Sequence, residues 1–373
     1  MIYLDYSANT PCDASVLDVY VQTEKTYPGN PNSGHPAGAA AHEKMAEVTG
    51  AAAAHFGVRP EEIIWTSGAS EANNLAIKGA VRANRHYGRH IITTPLEHPS
   101  VSGPLTYLQE QGYEVDLAEI GRDGKNSLES LAELIRDDTI LVAVCAVDSE
   151  LGVRQPVEEI AGITARYPHC LLHVDATQAI GKIGFSFAGI DTVSLTAHKF
   201  YGPNGIGLLY KREGLVIEPL IHGGTGASLY RSGTPTLGLA AALSEALNLS
   251  LGRLDAQYQK VQALNSLLRE ELGKYPGVKI NSPADAVPHI LNLSVDGVKG
   301  TQFQQALAAR DVCVSVKSAC STEGTPSRAV FAVSRDRKRA MNSWRISLGY
   351  PTTEEEIYAF LAIFDECYKE LTA

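Results

Sequence analysis

Lys199 stands in Thr196-Ala197-His198-Lys199-Phe200-Tyr201-Gly202-Pro203, directly after the apolar run Thr192-Val193-Ser194-Leu195. A lysine set between a histidine and two aromatic residues makes a poor solvated surface. Held partly out of water, its amine loses a proton more readily and can form a Schiff base. Asp175 closes an earlier apolar run, Leu171-Leu172-His173-Val174. An acid at a strand's carboxyl end can hold a ring nitrogen protonated, and it can equally cap the next helix. Further upstream, Thr66-Ser67-Gly68-Ala69-Ser70-Glu71-Ala72-Asn73-Asn74 follows Ile63-Ile64-Trp65. Glycine and small hydroxyl residues at a helix start leave backbone N–H groups for a phosphate, although Ser70 as a simple N-cap is the plainer reading. Singly, each signal is ordinary. In this order, a phosphate cradle, a strand-end acid and a strand-end amine are the set that pyridoxal 5'-phosphate (PLP) needs.

Three more residues fit that set. His98, in Pro95-Leu96-Glu97-His98-Pro99-Ser100, again follows a strand, where an imidazole can stack on a cofactor ring and shuttle protons, or simply cap a helix. Arg345, inside Trp344-Arg345-Ile346-Ser347-Leu348, is costly in an apolar strand unless paired, and a substrate carboxylate is a natural bidentate partner. Of the six cysteines, Cys145 and Cys313 lie in apolar runs and read as core, while Cys12, Cys170 and Cys367 have no evident chemical setting. Cys320 differs: it sits in the polar stretch Lys317-Ser318-Ala319-Cys320-Ser321-Thr322-Glu323-Gly324, where a thiol near a lysine can ionise and act as a nucleophile.

The elements that must position these residues alternate short apolar runs with helical patterns. Strands are expected at 63–66, 91–93, 113–117, 139–145, 171–174, 192–195 and 206–210, with a helix from about Ser70 to His86. Runs apolar on both faces and separated by helices predict a mostly parallel sheet sandwiched by helices, with ligands at the strands' carboxyl ends. After residue 236 the pattern changes. One or two long helices span Pro235 to Leu272, followed by a strand at 290–295, a helix near 300–310, a strand at 345–348 and a final helix from Thr353. That tail reads as a small α+β unit. The division expected is a large domain over 16–248 and a small one from 1–15 plus 249–373, carrying Cys320 and Arg345.

Composition excludes several classes. A formal net charge of −10 over 373 residues is unsuited to broad nucleic-acid or membrane binding. No run approaches the roughly 18 apolar residues that read as a membrane span, and the first residues lack the pattern of a signal peptide. The cysteines are scattered with no Cys-x-x-Cys pair, which favours reduced thiols in a cytoplasm over disulfides or a zinc site.

The motifs taken together resemble the cysteine desulfurases, a branch of the fold-type I PLP enzymes (class V aminotransferase-like). Tyr3-Leu4-Asp5-Tyr6-Ser7-Ala8, Asn30-Pro31-Asn32-Ser33-Gly34-His35, Thr66-Ser67-Gly68-Ala69-Ser70-Glu71, Glu97-His98, His173-Val174-Asp175-Ala176-Thr177-Gln178, His198-Lys199-Phe200-Tyr201-Gly202-Pro203, Arg231-Ser232-Gly233-Thr234, Ser318-Ala319-Cys320-Ser321 and Arg345-Ile346-Ser347-Leu348-Gly349 carry the likeness nearly end to end. The resemblance implies an α/β fold, a large doubly wound domain with a small α+β domain, and a homodimer. It implies that Lys199 holds the cofactor and moves the substrate's Cα proton. Asp175 then pairs with the pyridine nitrogen and Gln178 with the phenolic oxygen. Ala69 through its N–H, Ser70, Thr196 and His198 bind the phosphate, with Thr234 reaching in from a second subunit. His98 stacks on the ring and handles protons, including that of the Cys320 thiol, and Asn32 and Arg345 hold the substrate carboxylate. Cys320 takes sulfur from L-cysteine as a persulfide, leaving alanine, and passes it to an acceptor such as an iron–sulfur scaffold or a tRNA-thiolation enzyme.

The chain departs from the family at Asp148-Ser149-Glu150-Leu151-Gly152, where Asn-Asn-Glu is usual. Ser149, a cofactor-binding candidate, replaces an asparagine expected to bond the phenolic oxygen or the substrate. A related reaction of the same class therefore stays open: selenocysteine lysis, cysteine-sulfinate or β-elimination chemistry, or transamination. So does a non-catalytic scaffold, against which the complete Lys199, Asp175, His98 and Cys320 set argues. Arg335, Arg337, Lys338 and Arg339 form a basic cluster that is either a solvated helix end or a dock for an acidic acceptor.

Overall fold

A computed structural model describes residues 1–224, 228–317 and 324–373. Among the described residues twelve strands form three sheets. The largest holds β2 (Ile63–Thr66), β3 (His90–Thr93), β4 (Glu114–Leu117), β5 (Thr139–Cys145), β6 (Leu171–Asp175), β7 (Thr192–Thr196) and β8 (Gly207–Lys211) in the order β2-β8-β7-β6-β5-β3-β4. All neighbours pair in parallel except β8, which is antiparallel to both β2 and β7. All seven lie where the apolar runs predict them.

Both faces of this sheet are covered, which is why its central strands lack polar alternation. On β5, Val142 and Val144 join one core with helices 157–164 and 237–252, while Leu141 and Ala143 join the opposite core with helices 69–83 and 99–110. Alternate side chains of a strand face opposite ways, so one uninterrupted run serves two cores.

A third core is built on β9 (Val278–Ile280), β10 (Ile290–Val295) and β12 (Ser343–Ser347), an antiparallel sheet packed by helices 254–272, 300–308 and 354–372. Phe303 stacks on Trp344 at 5.1 Å and packs against Phe364. The apolar pattern from Pro235 to Leu272 resolves into two helices, Leu237–Gly252 and Leu254–Leu272. The break falls at Gly252-Arg253, where glycine is the least favourable helix residue short of proline and Arg253 leaves the helix to lie 3.8 Å from the Tyr350 ring centroid.

Two features join the cores. The first residues form β1 (Ile2–Tyr3), parallel to β11 (Val312–Cys313), too short to read from sequence. Beyond β1 the chain bridges Ser347 and then crosses to the Lys199 turn, where the Thr10 N–H donates to the His198 carbonyl. In the second, Ala329, Val330, Ala332 and Ala340 pack against Leu96, Cys145 and Leu151, bringing a late segment against the carboxyl end of β5.

Candidate active site

The parallel strands β3, β5, β6 and β7 end on one side of the large sheet, and a cavity of about 360 Å³ opens there. Its lining includes Ala69, Ser70, His98, Ser149, Asp175, Gln178, Thr196, His198, Lys199 and Arg345. Ten of the residues named from sequence thus converge, as expected of strand ends in an open α/β sheet. Asn32 and Thr234 do not line this cavity. Asn32 lines an adjoining groove of about 750 Å³ that shares Ser67 and Gly205 with it, and Thr234 is exposed between Gly233 and Pro235, which line the same groove. Cys320 lies outside the described residues. On the near side of that segment, the Lys317 Nζ donates to the Thr325 carbonyl and hydroxyl at 2.8 Å each.

The helix Ala69–Ala83 points its first turn at the cavity. Its N-cap is Gly68, not Ser70, and no side chain caps it, so its first N–H groups remain available to an anion. A Cβ added to Gly207 on β8 would stand 2.6 Å from the Gly68 Cα, so that glycine lets the strand run directly beneath the cradle. Thr196 and His198 complete this end, joined at 3.1 Å. Burial, aided by Lys199, lowers the His198 pKa to about 4, so the imidazole is neutral. Glu71, in the first turn, turns away to ion-pair with Arg231 at 3.0 Å and to accept from the Ser67 N–H.

Asp175 ends β6 and caps the turn that follows it. One oxygen accepts from the Thr177 N–H at 3.0 Å, the other from the Asn73 amide at 2.9 Å. Asn73 is fully buried and unassigned by sequence reasoning; its amide also donates to the Ser100 hydroxyl at 2.8 Å. Its oxygen accepts from Ser194 and lies 3.0 Å from the His173 Nε2. His98 caps helix 99–110, its Nδ1 accepting from the Ser100 N–H at 3.1 Å and lying 2.8 Å from the Ser100 hydroxyl. Capping and a place on the cavity wall are therefore one arrangement. Burial lowers the His98 pKa, with Asp175 opposing and Lys199 adding to the shift.

Lys199 Nζ donates to the carbonyls of Ser7 at 2.8 Å and Ala8 at 2.6 Å, so the first segment of the chain positions the amine. Gln178 donates to the same Ser7 carbonyl at 2.9 Å and accepts from the buried Lys182 at 2.6 Å, which orients its amide. Burial holds the Lys182 amine well below its ordinary pKa, with Lys199 adding to the effect.

Arg345 brings a buried charge to the cavity lining. Arg345, 1% exposed, pairs with Asp5 at 3.0 Å and donates to the Ser149 carbonyl at 2.7 Å, while its Nε has no partner among the described residues. Its partner Asp5 belongs to the segment Tyr3-Leu4-Asp5-Tyr6-Ser7-Ala8. Asp148 caps the turn through the N–H groups of Glu150 and Leu151. Burial raises its pKa to about 7, and that of Glu97 to about 8. Cys145 is core, as its apolar run implies, and as the last residue of β5 it also lines the cavity. Burial, with Glu97 next in weight, holds its thiol protonated, so it is no nucleophile. In the basic cluster, Arg339 is tied to Asn281 and to the Ile280 carbonyl, which removes it from any docking face.

This cavity on this sheet defines a class of enzyme. The family model for aminotransferase class-V matches residues 2–360, and the chain belongs to that family. It is 36% identical over 378 residues to a NifS/IcsS protein homolog of Lactobacillus delbrueckii subsp. bulgaricus, spanning 100% of this chain and 98% of the relative. It is 37% identical to the cysteine desulfurase IscS of Azotobacter vinelandii, over 95% of this chain and 90% of that one. Among solved structures, a NifS-like protein superposes with a TM-score of 0.93 at 34% identity, covering 99% of this chain and 100% of that one. SspA in complex with cysteine superposes at 0.82 with 30% identity, covering 94% and 99%.

The family is PLP-dependent. The residues here fit that group: an uncapped helix start for the phosphate, a strand-end carboxylate held by two N–H donors, and a lysine amine in the same cavity. Among the described residues no cluster of His, Cys, Asp and Glu could hold a metal ion, and no helix is long and apolar enough to cross a membrane.

Proposed function

We propose that the chain is a cysteine desulfurase that converts L-cysteine to L-alanine and leaves the sulfur on Cys320 as a persulfide. The observation that carries this reading is the convergence of Lys199, Asp175, His98 and Arg345 on one cavity, in a chain whose relatives include named cysteine desulfurases. Bound PLP would supply the electron sink that makes the substrate's Cα proton removable.

Each remaining role belongs to a residue of the chain. The Ala69 N–H, Ser70, Thr196 and His198 hold the phosphate, with Thr234 supplied by a second subunit of a homodimer. Asp175 keeps the pyridine nitrogen protonated, Gln178 donates to the phenolic oxygen and Ser149 lines the same cavity. Lys199 Nζ holds the cofactor and, once released by substrate, moves the Cα proton. Arg345 and Asn32 hold the substrate carboxylate. The Cys320 thiolate attacks the substrate sulfur; an S–S bond forms, the C–S bond breaks with its electron pair remaining on carbon, and that carbon is protonated to give alanine. An ordinary thiol is only a few per cent ionised at pH 7, so Cys320 must lose its proton before attack. The persulfide then passes to an acceptor protein in the cytoplasm.

Ser149 favours one second reading within the class. A hydroxyl replaces the longer amide usual there, while its backbone carbonyl holds Arg345. Selenocysteine or another β-substituted substrate would suit such a change. Comparing alanine formation from L-cysteine and L-selenocysteine decides between them. Faster turnover of L-cysteine supports the desulfurase, whereas turnover of selenocysteine alone replaces it.

A further inference from the structure

We propose that His98 acts as a fixed hydrogen-bond donor through Nε2–H, locked in that tautomer by a chain of hydrogen bonds from Asp175 through Asn73 and Ser100. The consequence for catalysis rests on the desulfurase reading; the tautomer does not.

The direction of each bond follows from the one before it. The Asp175 carboxylate accepts the Asn73 contact at 2.9 Å, so the NH₂ side of that amide faces it. The flipped amide would set two acceptors against each other. The second amide hydrogen then goes to the Ser100 hydroxyl, 2.8 Å away. That hydroxyl, 2.8 Å from the His98 Nδ1, donates its own hydrogen to it, because the nitrogen is already an acceptor. The Ser100 backbone N–H donates to the same nitrogen at 3.1 Å. Two donors on one ring nitrogen leave it without a proton, and a neutral imidazole then carries its proton on Nε2. The far side of Asn73 agrees. Its oxygen accepts from Ser194 and from the His173 Nε2, which is therefore protonated, leaving the His173 Nδ1 to accept from Thr192 at 2.9 Å.

Asn73 is thus a positioning residue for two groups at once: it orients the carboxylate that meets the ring nitrogen and the imidazole on the same cavity wall. An imidazole in this state has no lone pair to offer the Cys320 thiol. Its Nε2 already holds a proton, and protonating Nδ1 would break the bond from the Ser100 N–H and force the Ser100 hydroxyl to turn its hydrogen away. The expectation that His98 receives the thiol proton is revised accordingly: another base must take it, and His98 serves by donating.

The direct test is ¹⁵N NMR of the ring nitrogens in histidine-labelled full-length protein, with and without PLP, His98 being assigned by its loss in His98→Gln. The proposal requires a protonated Nε2 and an unprotonated Nδ1 at neutral pH, and an Nδ1–H signal overturns it. In Ser100→Ala one of the two bonds is lost, and the tautomer ratio should move about fivefold toward Nδ1–H, as expected for a bond of about 1 kcal/mol. Asn73→Leu should move it the same way; an unchanged ratio in both variants removes Asn73 and Ser100 from the positioning role. With L-cysteine, His98→Gln keeps a donor near Nε2 but cannot shuttle a proton, and should fall no more than about tenfold, against at least about a hundredfold for His98→Phe. Equal loss in both would show that proton transfer is required. If the parent ignores L-cysteine, the substrate reading fails while the NMR result still stands or falls alone.

Discussion

The two walls of the Lys199 cavity are built on opposite principles. On one, Asp175, Asn73, Ser100, Ser194, His173 and His98 form a closed network in which every hydrogen of the Asn73 amide and both lone pairs of its oxygen are used. On the other, Arg345 lines the cavity with its Nε unpartnered among the described residues, while the buried Asp148 and Glu97, outside the lining, each keep one unpartnered oxygen, Oδ1 and Oε2. Buried polar groups are nearly always paired, so the contrast is informative. A satisfied network holds a constant partner in one geometry, as a resident cofactor requires. A wall with spare hydrogen-bonding capacity suits a partner that arrives and leaves, as a substrate does. Of the chain's own departure from its family, Asp148-Ser149, the serine lines the cavity and holds Arg345 through its carbonyl.

Substitutions should separate the walls, beginning where the effect is largest. Lys199→Ala removes the group both walls serve; turnover of L-cysteine should fall by at least about a thousandfold in a coupled alanine assay, with the thermal midpoint little changed. Survival of turnover above that level would detach Lys199 from the chemistry.

Arg345→Met strips Asp5 of its ion-pair partner and should lower stability by about 3 kcal/mol in urea unfolding, besides raising KM. Adding Asp5→Leu should recover most of the stability and none of the KM. If KM recovers as well, Arg345 acts only as a structural ion.

The smallest effect is a slope. Burial raises the Glu97 pKa from 4.5 to about 8, so between those values the folded state holds a proton that the unfolded chain has released. Stability contributed by this proton is complete below pH 4.5 and is lost as pH rises toward 8, at no more than about 1.4 kcal/mol per pH unit. Urea unfolding from pH 5 to 8 should show that decline, and Glu97→Gln should flatten it. An equal slope in the variant would place the titration elsewhere, Asp148 being next because burial also raises its pKa, to about 7.

Much of this was legible beforehand, for identifiable reasons. The seven strands of the large sheet show as apolar runs because helices cover both faces, and the reactive residues show because Lys199, Asp175 and His98 follow those runs directly. What escaped depends on contacts between distant parts of the chain. Asn73 reads as a helix residue until the fold sets it against Asp175, 102 positions later, and Asp5 acquires its meaning only from Arg345, 340 positions away. Cys145 reads as core because an apolar run does not mark which of its residues reaches the open end of the strand. The two-residue strands β1 and β11 carry no periodicity at all.

The most direct test of the central claim is mass spectrometry of the Cys320 peptide after a single turnover of PLP-loaded protein with L-cysteine, without reductant. One added sulfur atom on Cys320, matched by one alanine released and absent from Cys320→Ser, is the predicted result. Alanine formed with Cys320 unmodified, or a cofactor spectrum that L-cysteine leaves unchanged, would contradict it.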